Sequence, residues 1–169
     1  MKKDLFSLQN KICIVTGAAS GMGKQIAIGF AEYGAHVVLV DINHLGSEET
    51  SLIIKDIGTK STVLNCNVSK IDEIQKLFSE LDSIFGRIDV LVNVAGEGYG
   101  GRPEEIDLSV LKETIDNLVI GRFKMCQEAG IRMIRNGEGS IINFGSIGGW
   151  SSLGRGHTPY GMSMAAVIQ

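Results

Sequence analysis

The chain has 169 residues, 44% of them apolar and 21% charged, which is enough for one domain with a buried core and too short for two. Its 16 basic and 19 acidic side chains leave a formal charge of -3 with no basic or acidic block, so nothing in the charge pattern points to nucleic acid or an anionic membrane as partner. No apolar run approaches the length of a membrane span, the N-terminus lacks a signal-like apolar stretch, and Cys13, Cys66 and Cys126 are odd in number and scattered, so a cytoplasmic protein with reduced thiols is expected.

Residues 12–15 form a short, β-branched apolar run closed by Thr16 and Gly17 and read as a buried strand. From Gly21 the spacing becomes helical, with Met22, Ile26, Phe30 and Ala31 on one face until Tyr33 and Gly34 end it. Residues 36–40 give a second strand, 45–56 a helix and 62–64 a short strand. Ile71, Ile74, Leu77, Phe78, Leu81, Ile84 and Phe85 then make one broad helical stripe, preceded by Ser69 and Asp72 at capping-box spacing. Val90–Asn93 is the fourth strand. Residues 108–135 are long enough for one helix, which Gly121 and Gly130 weaken. Residues 141–144 are the fifth strand, and Thr158 with Pro159 reads as an N-cap followed by proline at the first helical position. Apolar strands alternating with helices specify an α/β fold, a parallel sheet covered on both faces.

Residues 16–23, TGAASGMG, lie between the first strand and the first helix. Gly17 permits the tight turn, Gly21 lets the backbone approach a pyrophosphate, and Gly23 lets helix and sheet pack closely. Ser20 and Met22 complete the turn, and the free N–H groups at the helix start are donors for an anion. Asp41 ends the second strand 18 residues after Gly23, where its carboxylate can accept the adenosine ribose hydroxyls and repel the additional phosphate of NADP. Glycine cluster and carboxylate together point to NAD.

With these motifs in order, the chain resembles the short-chain dehydrogenase/reductase family. The resemblance runs from about Asn10 to Ala166 and is carried by residues 16–23, NVAG at 93–96, Asn117 in DNLVIG, Ser146 after IINFG, and Tyr160. It implies a Rossmann-type doubly wound parallel sheet of strand order 3-2-1-4-5, with Asn93, Ala95 and Gly96 passing the adenosine side of the cofactor and Asn67 and Val68 beside the adenine. It further implies reversible hydride transfer between NAD(H) and an alcohol or carbonyl carbon. Tyr160 would be the acid/base, Ser146 the donor to the substrate oxygen, and Asn117 the organiser of a water-mediated proton route.

Two departures stand out. The family's lysine four positions after the tyrosine is Met164 here, and neither Arg155 nor His157 sits at the helical offset that would replace it. Members also usually continue well beyond this point, so the 169 residues are expected to form a single incomplete dinucleotide-binding domain without the C-terminal substrate-binding part. Ala165, Ala166, Val167 and Ile168 would then lack packing partners, and the sheet would have an open edge. The alternative function is a catalytically impaired nucleotide-binding pseudoenzyme or interaction protein. The expected partners are a small alcohol or ketone and a second or fourth copy of the chain, in a homodimer or homotetramer pairing through the helices around 108–135 and after Pro159. Trp150 is either a pocket border or packing.

Overall fold

The computed structural model describes residues 5–152, 154 and 156–169. Five parallel strands form one sheet: β1 (Ile12–Thr16), β2 (His36–Asp41), β3 (Ser61–Asn65), β4 (Val90–Asn93) and β5 (Ser140–Asn143), in the order β3-β2-β1-β4-β5. The connections are helical: α1 (Gly21–Glu32), α2 (His44–Ile57), α3 (Ile71–Ile84), then α4 (Leu108–Ile115) and α5 (Arg122–Asn136), with α6 (Thr158–Ile168) after β5. Alternation along β1 explains why both faces are covered: Ile14 enters a core with Phe78, Leu81, Met125 and Ala129 of α3 and α5, whereas Cys13 and Val15 enter a core with Ala27, Ala31 and Ile54 of α1 and α2. In register, Ile14 stands between Val38 and Leu91. The chain runs from β1 to β2 and β3 on one side and then crosses back past β1 to β4 and β5 on the other, so the connections after β1 and β4 diverge and open a crevice at the carboxyl edge of the sheet.

Several expectations need correction. Ser69 does not cap α3: the flanking residue is Lys70, and no side chain caps the helix. The Ser69 hydroxyl accepts instead from the Asn117 amide at 2.8 Å, a tertiary bond that withdraws it from the capping box. Residues 108–136 are helical throughout, yet not one regular helix, because a π-helical turn, Asp116–Gly121, separates α4 from α5. Thr158 is the first residue of α6, with His157 in the cap position and Pro159 in the first turn. Residues 165–168 are mostly half-buried, with Ile168 against the Gly149 backbone, while β5 is exposed throughout and pairs with β4 alone.

Candidate functional site

The turn from β1 into α1 has the geometry its glycines suggest. Gly17 and Gly21 hold φ at +72° and +53°, values costly for residues with a Cβ. A Cβ on Gly23 would lie 2.2 Å from the Gly17 carbonyl oxygen, so only glycine lets α1 start this close to the strand end. The first bond into α1 runs from the Lys24 N–H to the Ser20 carbonyl at 3.1 Å, leaving the N–H groups of residues 21–23 at the helix mouth. Ser20 and Met22 are exposed and the first turn carries no acid, so the positive end of the helix faces the crevice. Beside it, Asp41 accepts the Ala19 N–H of the same turn at 3.0 Å on one carboxylate oxygen and the Asn43 N–H at 2.9 Å on the other. Each oxygen keeps a lone pair for a further donor.

The opposite wall is residues 94–96. The buried Thr16 hydroxyl oxygen accepts the Val94 and Ala95 N–H groups at 3.0 and 3.1 Å, tying this segment to the end of β1. Asn93 does not reach the crevice; its amide donates to the Asn143 side chain at 2.9 Å and braces β4 against β5. Beyond β3, the Asn67 side-chain oxygen accepts the Ser69 N–H at 2.9 Å, so its amide nitrogen is the atom left for a ligand. Gly17, Ser20, Gly21, Met22, Gly23, Asp41, Asn67, Val68, Ala95, Gly96 and Asn117 all line one cleft of about 620 Å³. Among the described residues, Asp41, Glu97, Glu113 and Asp116 put four carboxylates on its walls against the single cation Lys70, a field unfavourable to an additional phosphate.

Asn117 lies within the π turn. Its amide reaches Ser69, while its carbonyl oxygen is buried without a partner and points at the Gly96 backbone, where a Cβ would stand 3.0 Å away. Ser146 accepts the Gly148 N–H at 3.1 Å and starts a short 3-10 turn, Ile147–Gly149. That turn packs closely on α6, since a Cβ on Gly149 would come within 2.7 Å of the Met164 backbone and one on Gly161 within 3.0 Å of the Gly148 carbonyl oxygen. The Ser146 turn and the Tyr160 helix are therefore neighbours, although neither Ser146 nor Tyr160 lines the cleft. The Tyr160 ring lies against Gly98, where a Cβ would approach a ring carbon to 2.5 Å. Met164 is 2% exposed, an apolar side chain sealed within this contact. Arg155 lies outside the described residues, and His157 is exposed beside Gly100. Trp150 is 79% exposed and borders neither the cleft nor a smaller hollow of about 400 Å³ at the start of α6. Cys13 and Cys66 are buried thiols, each pushed up to about 12 by desolvation, and Cys126 is half-buried.

Sequence reasoning missed Arg122. Its side chain is buried and donates to the Phe144 carbonyl at 2.6 Å and the Ala95 carbonyl at 3.1 Å, joining the ends of β5 and β4. A signal existed: Arg122 falls on the helical stripe of Met125, Ala129 and Met133, the buried face of α5.

Residues 11–169 match the short chain dehydrogenase family. The NAD-dependent glycerol dehydrogenase of Listeria innocua is 34% identical over 96% of this chain, and the D-threitol dehydrogenase of Mycolicibacterium smegmatis is likewise 34% identical over 96%. The chain spans 63% and 62% of the lengths of these two relatives. Among solved structures, a short-chain type dehydrogenase/reductase from Mycobacterium marinum superposes with a TM-score of 0.93 at 29% identity, covering 98% of this chain and 68% of that one. An NAD+-bound xylitol dehydrogenase superposes with a TM-score of 0.90 at 26% identity, covering 95% and 62%. Together with the sheet order and the β1–α1 turn, the match over residues 11–169 establishes that the chain belongs to the short-chain dehydrogenase family.

Proposed function

We propose that the chain forms the cofactor-binding part of an NAD-dependent oxidoreductase that moves a hydride between the nicotinamide and an alcohol or carbonyl carbon of a small molecule. The observation that carries this reading is the placing, in one cleft, of the free N–H groups of residues 21–23 and the Asp41 carboxylate. When bound, the dinucleotide supplies the carbon that gives or takes the hydride. The N–H groups bind its pyrophosphate, Asp41 accepts ribose hydroxyls and repels the NADP phosphate, and Asn67, Val68 and the segment at 94–96 bound the adenosine side. Ser146 donates to the substrate oxygen, Tyr160 exchanges a proton with it, and Asn117 orders a water on the proton path. The part that covers the substrate is assigned to the length of the relatives that has no counterpart in these 169 residues.

Met164, read as standing where the family has lysine, supports a second reading: a nucleotide-binding protein without turnover. Calorimetric titration of the chain with NAD and NADP in parallel tests the cofactor, and NADH absorbance with glycerol, D-threitol and xylitol tests turnover, polyols being the substrates named for the compared proteins. NAD is expected to saturate the cleft and to bind tighter than NADP by about tenfold or more, a margin that Asp41→Ala narrows. In a protein that also carries the substrate-covering part, saturable binding with no reduction of NAD by any member of a broad alcohol panel selects the second reading; no binding by the folded 169-residue chain rejects both. The exposed Leu108 of α4, Ile120 of the π turn and Phe123 of α5 support pairing of two copies, for which light scattering is expected to give a mass above 18.1 kDa. Three unpaired cysteines fit a cytoplasmic protein, and no helix of the described residues is long and apolar enough to cross a membrane.

A further inference from the structure

Arg122 opens α5 immediately after the π turn that carries Asn117, and 6% of it is exposed. One end of its guanidinium grips the Phe144 carbonyl, two residues before Ser146, and the other the Ala95 carbonyl, one residue before Gly96. The Phe144 N–H in turn donates to the Asn93 carbonyl at 3.1 Å. Arg122 thus sits where the segments after β4 and β5 meet. Its Nε is buried without a partner, and no carboxylate pairs with it among the described residues. Burial pushes the guanidinium below its ordinary value, while Cys126 on its own helix and the Tyr160 phenol on α6 act in the opposite direction. A guanidinium remains charged at any physiological pH. Two carbonyl dipoles orient such a charge without cancelling it, and a buried ion lacking a counterion acts on whatever charge comes beside it.

The oxidised nicotinamide ring is a cation and the reduced ring is neutral, while the remainder of the dinucleotide is the same in both. Resting on the cofactor reading above, we propose that Arg122 is a positioning residue that sets the spacing of the Ala95 and Phe144 segments and, through its fixed charge, makes the cleft hold the reduced dinucleotide more tightly than the oxidised one. The bonds of Arg122 to Ala95, on the cleft wall, and to Phe144, two residues before Ser146, place this charge beyond β4, on the far side of β1 from Asp41, whose carboxylate meets the part common to both forms. Of the other acids on the cleft walls, Glu97 and Glu113 are exposed and screened by solvent, and Asp116 is half-buried. Met164 brings no second cation.

The test is calorimetric titration of NAD+ and NADH into the 169-residue chain, Arg122→Lys and Arg122→Met. NADH is expected to bind about tenfold or more tightly than NAD+ in the parent and in Arg122→Lys, which keeps the charge. Arg122→Met is expected to lose most of that preference, with NAD+ binding spared relative to NADH. Should Arg122→Met fail to fold, Arg122→Gln keeps a donor for one carbonyl and removes the charge. A merely structural arginine would weaken both forms in parallel, so an unchanged ratio in either neutral variant, or a parent that prefers NAD+, overturns the inference while leaving the cofactor reading standing. A folded parent that binds neither form overturns both.

Discussion

Thr16 shows how much of the cleft hangs on one hydroxyl. Its oxygen accepts two backbone N–H groups from the far wall and donates to the Val92 carbonyl at 3.4 Å, all in a position 1% exposed. Thr16→Val keeps the shape and removes the acceptor, which strands the Val94 and Ala95 N–H groups. A loss of about 2 kcal/mol is expected in thermal or denaturant unfolding, with weaker NAD binding, and Thr16→Ser is expected to restore both. Thr16 was legible as the last residue of a strand but not as a tether, because its partners lie 78 and 79 residues away. Asp41 and the glycines were legible for the opposite reason. Their geometry is set within one strand-turn-helix unit, where spacing in sequence is spacing in space. Arg122 belongs with Thr16: the stripe marked it as buried, but only the fold brings it the two carbonyls it holds.

At the scale of elements, the two glycines that weaken a helix over 108–135 turn out to be different objects. A Cβ on Gly121 would lie 1.8 Å from the Val68 carbonyl oxygen, whereas nothing lies within 4 Å of one on Gly130. Gly121→Ala is therefore expected to push the helices off the Val68 segment, to cost about 3 kcal/mol in unfolding measurements and to weaken NAD binding. Gly130→Ala is expected to stabilise by about 0.5–1 kcal/mol, through helix propensity alone. Propensity treats the pair alike, and the close approach that separates them is tertiary. The π turn was hidden for the same reason. It places Asn117 against Ser69, and that bond also removes Ser69 from the capping role its spacing suggested. The five strands, by contrast, followed from apolar runs alternating with helices, and their order from the family resemblance that the motifs at residues 16–23, 93–96 and 146–160 carry.

Across the whole molecule the two edges of the sheet are used differently. The carboxyl edge holds the cleft, and the amino edge is stapled by charge: Asp89 accepts the Ile12 N–H at 2.8 Å and bonds Arg87 and Lys11, and Lys11 reaches Glu138 at 2.7 Å. Burial opposes ionisation of Asp89, yet Arg87, the Ile12 N–H and Lys11 outweigh it and hold the carboxyl below its ordinary value. A depressed carboxyl stabilises the fold above its unfolded value, about 4, and that contribution fades as pH falls through the lower folded value. The thermal midpoint is expected to drop below about pH 4, less steeply in Asp89→Asn, which at neutral pH should be less stable by about 3 kcal/mol. The lateral flanks differ as well. β3 ends the sheet with Ser61, bonded to Ser51 at 2.9 Å, while β5 ends it with Ile141 and Ile142, 37% and 41% exposed. β3 also carries Val63 and Leu64, but these are half-buried and buried, so the apolar residues of this flank are covered where those of β5 are not. An extended segment laid beside β5 would meet unpaired backbone groups and two part-exposed isoleucines, so this flank is the one with apolar surface left to bury.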